Sequence, residues 1–445
     1  MSTYSDAVVK LSVPQPGAAN LSTFQQKFQR ALQYNVEHKG SFILCEAAGQ
    51  GCVSLMETFL DQYHADVNAV QGDKTPLIKV VMSGFLPAVE HVLSRSELDV
   101  DHVNQGNRAL WYSTAQKDPA IAQRLLRQPG MDINCPLRAK KTGIILAILN
   151  QAVIRNNTEV VKVFLADERT DPNIAAENRG TMQTPLLCAA DLGHLGIVKI
   201  LLGDSRVDPV CRDARGWTAL HYAAENGNVQ TIDLLLSDGR IDVNAQNHHG
   251  STALHLAAKA GHVGAVKRLL MASTVHISVK NEKGRTALWN ATRQGHDQVA
   301  SRLLLEEDVE VNCTGTSDST DRSTSLHHAV KARNLALVHQ LLAKSTTDPN
   351  VSDWYGRTPL WWAAAVGDLL LVMSLLDDRR TQPHIRDNSG TAPVDIARSR
   401  NKYDVVSLLM NGRHHYPGVI FAKAVALYLM VAVFKWVPAQ FYMLE

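Results

Sequence analysis

Apolar and small residues recur along the chain in a fixed order that begins with threonine. Threonine is followed by alanine or proline, then leucine, a variable residue, and a run of small residues that often holds two adjacent alanines. A second apolar run, such as Leu234-Leu235-Leu236, follows in the same unit after a glycine. This order predicts a turn followed by two short antiparallel helices. It is clearest in the units that begin at Thr184, Thr218, Thr252 and Thr286.

These four unit starts lie 34 residues apart in each of the three steps 184→218, 218→252 and 252→286. A fixed period this short indicates a stack of small units rather than one globule. The sequence therefore predicts an all-α solenoid of about eleven repeats. The remaining units are placed at 40–51, Thr75, Arg108, Thr142, Thr324, Thr358 and Gly390.

Two steps are longer than the period. The step from Thr142 to Thr184 is 42 residues, and we assign about five of the extra residues to the connection between the two helices and about three to the following turn. The step from Thr286 to Thr324 is 38 residues. Its extra residues are placed in the polar stretch 314–323, which is predicted to bulge as a surface loop.

The repeated unit resembles the ankyrin repeat. Its motif, Asp-x-x-Gly-x-Thr-Pro-Leu-His-x-Ala-Ala-x-x-Gly-His and then Val-x-x-Leu-Leu, is matched best at 213–228, 247–262 and 353–368. The resemblance covers 40–413, more than four fifths of the chain. It implies helix-turn-helix units with projecting turns and a protein that binds other proteins without catalysis. The degenerate turns at 170–173, 207–209 and 347–350 resemble those of multi-repeat arrays of filamentous fungi.

The ends of the chain differ from the array. Residues 1–39 are predicted to form a leader and a capping helix, with apolar residues at helical spacing from Leu21 to Leu32; a docking helix for a partner is the alternative. The leader has no basic start followed by an apolar run, so no secretory signal is predicted. Residues 414–445 form an apolar C-terminal segment.

This C-terminal segment holds about 19 mostly apolar residues at 419–437, near the minimum for spanning a bilayer. Lys423 and Lys435 lie near its ends, and Trp436 suits a membrane interface. Three interpretations of the segment stay open: a membrane anchor, a helix folded back on the last repeat, or a tail without a role. The protein is accordingly expected in the cytoplasm, or on a membrane facing the cytosol.

In ankyrin repeat proteins, partners usually contact the projecting turns and the outer side of the first helix. Carried over position by position, the resemblance predicts a basic strip with aromatic anchors and a partner that bears acidic residues. An ordinary solvated surface is the alternative. The tryptophan and tyrosine in the turns are expected to be exposed. The predicted contact residues are Arg215, Trp217, Glu225, His249, Lys259, Lys283, Arg285, Arg293, Lys331, Trp354, Tyr355 and Arg357.

Other notable side chains have structural explanations. Trp111, Trp289 and Trp361 stand where the motif has histidine and are expected to pack between units. His221 and His255 occupy the motif's own histidine position and are expected to make structural hydrogen bonds. The six cysteines form no Cys-x-x-Cys pair, which favours reduced thiols over disulfides or metal ligands.

Composition and motifs limit the function classes. The formal net charge is only +2, which argues against a general nucleic-acid binder. No phosphate loop, nucleophile elbow or zinc-binding histidine pair occurs, so no enzyme activity, cofactor, metal or small-molecule substrate is predicted. The predicted function is a protein-binding scaffold or adaptor. The alternatives are a membrane-tethered adaptor and an accessory or enzyme-like role in a fungal biosynthetic pathway.

Overall fold

The structure is a computed structural model that describes residues 39–100, 105–129, 131–135, 137–138, 145–178, 180–315 and 322–411. The chain divides into two compact units, Met1–Asp213 and Ala214–Glu445. In the described residues, 22 helices follow one another as eleven pairs, one pair for each predicted repeat. The predicted all-α solenoid is confirmed.

Five of the helix pairs belong to the first unit and six to the second. The first unit holds α1 (Lys39–Gly49) with α2 (Val53–Glu57, continued by the π-helical turn Thr58–Gln62), α3 (Pro76–Ser83) with α4 (Leu86–Leu93), α5 (Gln105–Ser113) with α6 (Ala120–Leu126), α7 (Ile148–Ile154) with α8 (Thr158–Ala166), and α9 (Pro185–Leu192) with α10 (Leu195–Leu202). The second holds α11 (Ala219–Glu225) with α12 (Val229–Leu236), α13 (Ala253–Ala260) with α14 (Val263–Leu270), α15 (Ala287–Gln294) with α16 (Asp297–Leu303), α17 (Ser325–Lys331) with α18 (Leu335–Leu342), α19 (Pro359–Val366) with α20 (Leu369–Asp377), and α21 (Pro393–Ser399) with α22 (Tyr403–Asn411).

In the repeats that keep both residues of the motif, threonine and glycine mark the two ends of the first helix. The hydroxyl of Thr286 accepts the backbone N–H of Trp289 at 3.2 Å and so caps α15. Gly261, with φ of 83°, ends α13 in the left-handed conformation. A Cβ atom at Gly261 would lie 2.6 Å from the ring of His296 in the next repeat, so a side chain at this position fits neither the backbone nor the packing.

A histidine joins each well-formed repeat to the next. The backbone N–H of Thr218 donates to Nδ1 of His221 at 3.2 Å, so Nε2 carries the ring proton. This Nε2 donates to the carbonyl oxygen of Ser251, in the following turn, at 2.9 Å. His255 and His327 make the same bond to later turns. The predicted structural role of the motif histidines is confirmed.

Small residues on the first helices let neighbouring pairs pack closely within each unit. Ala223, Ala224 and Ala258 are fully buried, as is Leu235 on a second helix. One repeat cannot bury both of its faces, so most of the stability comes from the interfaces between repeats.

The predicted start of the fourth repeat at Thr142 is wrong. Helix α7 begins at Ile148 after the N-cap Ala147, and only three residues, 155–157, separate α7 from α8. The residues assigned to the connection between the helices therefore do not lie there. They lie in the turn before α7, where β1 (Leu137–Arg138) pairs with β2 (Ile145–Leu146) in an antiparallel ladder. The turn that follows α8 is also longer, as predicted, and it forms a second hairpin of β3 (Ala176–Asn178) and β4 (Thr181–Gln183) before α9.

Three predictions concern residues outside the described ranges. These are the N-terminal capping helix, most of the loop 314–323, and the apolar segment 419–437. Across the part of the chain that the structure describes, no helix combines the length and the apolar character needed to span a bilayer.

An Asp-x-Arg sequence recurs after the second helix of several repeats and links neighbouring repeats. Arg380 bonds Asp378 and donates to the carbonyl oxygens of Leu342, Ser345 and Thr347, each at 2.8 Å. Its guanidinium thereby satisfies carbonyls left open at the end of α18, where a positive charge is favourable. The bond from Arg380 also holds the pKa of Asp378 below its usual range. The same sequence occurs at Asp167-x-Arg169, Asp204-x-Arg206 and Asp238-x-Arg240.

We expect Arg380→Ala to destabilise the second unit by about 1–3 kcal/mol, because it removes charge-assisted bonds to the preceding repeat. The measurement is hydrogen exchange of the amides in α18, supported by urea unfolding followed by circular dichroism. Arg379→Ala is the control, since Arg379 is an exposed neighbour in the same turn. Equal protection of α18 in the two variants would contradict the proposed link.

Candidate protein-binding surface

The predicted contact residues all lie in the second unit, on first helices and on the turns before them. Arg285 and Arg357 precede the capping threonines of α15 and α19. Arg293 and Lys331 lie near the ends of α15 and α17. Repetition of one backbone unit therefore brings basic side chains to equivalent positions on successive repeats.

The predicted residues differ in exposure. Exposed residues are Arg215, His249, Lys259, Lys283, Arg293, Trp354 and Tyr355. Glu225, Arg285, Lys331 and Arg357 are half-buried. The two aromatic residues Trp354 and Tyr355 are 49% and 50% exposed, as expected for turn residues that could insert into a partner.

Trp217 is buried, so the prediction that it is exposed is wrong. Only 6% of its surface is accessible. The centroid of its ring lies 5.0 Å from that of Tyr222, and the guanidinium carbon of Arg215 lies over the Trp217 ring, 4.3 Å from the ring centroid. Arg215 also donates to the hydroxyl of Tyr222 at 2.9 Å. The turn folds the indole under the arginine, which leaves Arg215 as the exposed group.

Trp289 is buried between repeats, as predicted, and also supports two arginines. It is 1% exposed, and its Nε1 donates to the carbonyl oxygen of Ser323 at 2.7 Å. This bond replaces the one made by histidine in other repeats. The guanidinium carbons of Arg285 and Arg293 lie 4.2 and 5.3 Å from the centroid of the indole. Both distances are within the range of cation–π attraction.

A second group of rings and cations surrounds Arg357. Its guanidinium lies 4.6 Å from the ring centroid of Tyr355 and 4.5 Å from that of Trp361. The ring centroid of Trp362 lies 5.3 Å from the guanidinium carbon of Arg357 and 4.4 Å from Nζ of Lys331. Trp361 is 4% exposed, so the prediction that it packs between units is confirmed.

Carboxylates near this second group accept hydrogen bonds within the turns. Oδ2 of Asp387 lies 3.9 Å from Nε of Arg357, while its Oδ1 accepts backbone N–H groups of Ser389 and Thr391. Burial acts to raise the pKa of Asp387, but the hydrogen bonds from Ser389 and Thr391 and the positive charge of Arg357 together hold this pKa below its usual range. Asp353 accepts from Nε1 of Trp362 at 2.9 Å. These acids shape the turns beneath the cations.

We name this arrangement the basic-aromatic strip. A guanidinium held against a ring has few rotamers to lose on binding, and its N–H edge remains suited to a carboxylate. The strip comprises the cations of Arg215, Lys259, Lys283, Arg285, Arg293, Lys331 and Arg357 with the rings of Trp217, Tyr222, Trp289, Trp354, Tyr355, Trp361 and Trp362.

Within the described residues, no group of three or more histidine, cysteine, aspartate or glutamate side chains is placed to hold a metal ion. Burial raises the pKa of the Cys45 thiol to about 11, which disfavours the reactive thiolate.

Comparison with known proteins agrees with this architecture. The family model described as ankyrin repeats in three copies matches residues 44–136, 149–247, 240–315 and 326–417. These matches cover well over half of the chain, which belongs to the ankyrin repeat family. Ankyrin repeats generally mediate interactions between proteins.

Among solved structures, the chain is similar to the crystal structure of the ankyrin repeat domain of Bcl-3, a unique member of the IkappaB protein family. The identity is 26%, the match covers 50% of this chain and 98% of that domain, and the TM-score is 0.44. No curated protein matches the chain.

We expect Trp289→Phe to lower stability by about 1–2 kcal/mol more than Trp361→Phe. Both changes replace a buried indole by a smaller ring, but only Trp289 loses a hydrogen bond, to Ser323. Nε1 of Trp361 is buried and meets no acceptor in the described residues. Urea unfolding of both variants measures the difference, and equal losses would show that the bond to Ser323 contributes nothing.

Proposed function

We propose that the protein is a non-catalytic scaffold that holds an acidic protein partner on the basic-aromatic strip. Membership of the ankyrin repeat family supports a binding role, since proteins of this family are typically non-catalytic scaffolds. The observation that carries the proposal is the repeated stacking of arginine or lysine on aromatic rings along one side of the second unit.

The arrangement suits recognition of carboxylates for two reasons. Arginine presents a planar fork of N–H donors that matches a carboxylate, and the ring beneath fixes the orientation of that fork. Arginine and aromatic side chains are also the residues that most often dominate the binding energy of protein interfaces. Trp354 and Tyr355 add exposed apolar surface next to Arg357.

Charge reversal of the strip tests this proposal. We expect the triple variant Arg285→Glu, Arg293→Glu, Arg357→Glu to lose capture of an acidic partner by at least about tenfold, since both attraction and stacking are removed. Capture by the immobilised full-length chain is measured by quantitative mass spectrometry at two salt concentrations.

The control is the triple variant Lys199→Glu, Lys267→Glu, Arg379→Glu. It makes the same change in net charge at exposed residues outside the strip, on α10, α14 and the turn after α20. Circular dichroism confirms folding of both variants. If capture by the strip variant matched that by the control, the strip would not be the binding surface.

A second candidate function adds a membrane tether to the same scaffold. The apolar segment 419–437, with lysines near both ends, favours it. We expect the full-length protein to sediment with membranes and to need detergent for release, while a chain ending at Asn411 stays in the supernatant. Full-length protein in the supernatant without detergent would exclude a spanning tail. The accessory role in a biosynthetic pathway stays a prediction.

A further inference from the structure

A titratable side chain makes the bond between repeats next to each of two strip arginines. Nε2 of His255 donates to the carbonyl oxygen of Arg285 at 2.9 Å. Nε2 of His327 donates to the carbonyl oxygen of Arg357 at the same distance. Both imidazoles are buried. The backbone of the strip is therefore held at two points by groups that can take up a proton near neutral pH.

The other ring nitrogen of each histidine already serves as an acceptor. Nδ1 of His255 accepts the backbone N–H of Thr252 at 3.2 Å and lies 2.9 Å from the hydroxyl of the same residue. Nδ1 of His327 has the same two partners in Thr324, at 3.1 and 2.9 Å. A proton on Nδ1 would face the backbone N–H, and that buried N–H would lose its acceptor. The bonded arrangement therefore requires neutral imidazoles.

Burial also disfavours the charged form. It lowers the pKa of His255 below the usual value of 6.5, and interactions with the carbonyl groups of Arg285 and Val279 oppose it only in part. In an opened segment, the imidazole takes up a proton at its usual pKa. The stability that neutral His255 contributes is therefore complete above about pH 6.5 and falls as the pH decreases below that value. Each pH unit in this range favours the opened state by up to about tenfold.

Charged and titratable groups of the elements around His255 have other contacts. Within the described residues, no carboxylate is among the groups that shift the pKa of His255. A carboxylate would stabilise the imidazolium, so here no ion pair offsets the cost of protonation. The neighbouring groups are the exposed Lys259 on α13, His221 of α11 with Ser251, Arg285 and Arg293 over Trp289, Lys280 with Glu310, Glu282 with His249, and Arg268 with Asp233.

The charged and titratable groups around His327 likewise each have a contact other than its ring. They lie on α17, on α18 and in the turn before α19. These groups are Lys331 with the hydroxyl of Ser323, His328 with the ring of Trp289, His339 with Ser374, Asp353 with Nε1 of Trp362, and Arg357 over Trp361.

Two side chains that do not titrate make the same bond elsewhere in the chain. Nε1 of Trp289 donates to the carbonyl oxygen of Ser323 at 2.7 Å. Nδ2 of Asn150 donates to the carbonyl oxygen of Gln183, also at 2.7 Å. Like the histidines, both donors stand three residues after the N-cap of a first helix. Because histidine alone changes charge between about pH 5 and 8, only the junctions made by histidine respond to acid.

We propose that His255 and His327 make the basic-aromatic strip sensitive to acid. Protonation of either imidazole below about pH 6.5 opens its bond to the next turn and releases the backbone of Arg285 or Arg357. The structural step stands apart from the proposed function. Its consequence, weaker binding of the partner in acid, rests on the proposed function and specifies how that function is regulated.

Hydrogen exchange resolved by helix tests the structural step in the full-length chain. Protection is measured at about pH 7 and about pH 5.5, with correction for the effect of pH on intrinsic exchange. We expect the amides of α15 and α19 to lose protection by about tenfold, because the lower pH lies about one unit below the usual pKa of histidine. The amides of α17 should lose at most about threefold, since the bond from Trp289 precedes this helix and does not titrate.

Two matched double variants assign the effect to the buried histidines. His255→Asn combined with His327→Asn keeps a donor for the next turn, as Asn150 does, and should remove the acid-induced loss at α15 and α19. His276→Asn combined with His384→Asn removes two exposed histidines from turns of the same unit and should retain the loss. Circular dichroism at both pH values confirms that the variants are folded.

One variant tests the idea in the opposite direction. Trp289→His places a titratable ring at the junction before α17, with the residue that the motif itself has there. The amides of α17 should then lose protection by about tenfold in acid. This test remains if the double variant of His255 and His327 does not fold.

Partner capture tests the consequence for binding. Within each protein, capture at about pH 5.5 is divided by capture at about pH 7, so that differences at neutral pH cancel. The ratio should fall at least about threefold for the wild type and stay near one for the double variant of His255 and His327. Carboxylates of the partner remain ionised at both pH values, since their usual pKa is about 4.

Three outcomes are distinguishable failures. Equal acid-induced loss of protection in the wild type and in the double variant of His255 and His327 would overturn the inference. Loss of protection in the wild type alone, with the same capture ratio in both proteins, would overturn the link to binding. Retained capture by the charge-reversal variant at about pH 7 would instead contradict the proposed function, and the hydrogen-exchange result would stand.

Discussion

One hydrogen bond between successive repeats both orders the stack and positions the strip. His255 donates from Nε2 to the carbonyl oxygen of Arg285, and His327 donates to that of Arg357, each at 2.9 Å. Because these donors sit on buried first helices, they fix the backbone of the next turn relative to the repeat before it. The arginines that carry the strip therefore start from anchored backbone, although their side chains face the surface. The stability of the stack and the placement of these arginines therefore depend on the same contact.

In the eighth repeat, tryptophan replaces the motif histidine and changes the contacts of the next turn. Trp289 keeps the bond to the next turn through Nε1 and adds a broad ring. That ring is wide enough for two guanidinium groups, which an imidazole is not. In the tenth repeat, the ring of Trp361 also lies under Arg357, but its Nε1 makes no hydrogen bond within the described residues. The two tryptophans that replace the motif histidine in these repeats are thus the rings that arginines of the strip contact.

Periodicity was enough to predict the number of repeats, their helix pairs and the structural hydrogen bond of His221, because these depend on the motif that each repeat shares. The start of the fourth repeat could not be predicted, because Thr142 matches the threonine of the motif in sequence, whereas the helix begins after the N-cap Ala147. The link from Arg380 to the preceding repeat was missed, since its acceptors lie 33–38 residues away in the chain. Its recurrence as Asp-x-Arg after several second helices was the available signal.

The candidate surface was predictable only in part, for a related reason. Sequence positions indicated which residues reach the turns, but not that Trp217 folds beneath Arg215 or that Arg293 meets Arg285 on one ring. Rotamers and neighbouring repeats decide those contacts. The nearly neutral chain also limits long-range attraction, since charges are screened beyond about 8 Å at physiological ionic strength. On the proposed function, discrimination between partners therefore depends on direct contacts with these cations more than on the total charge of the partner.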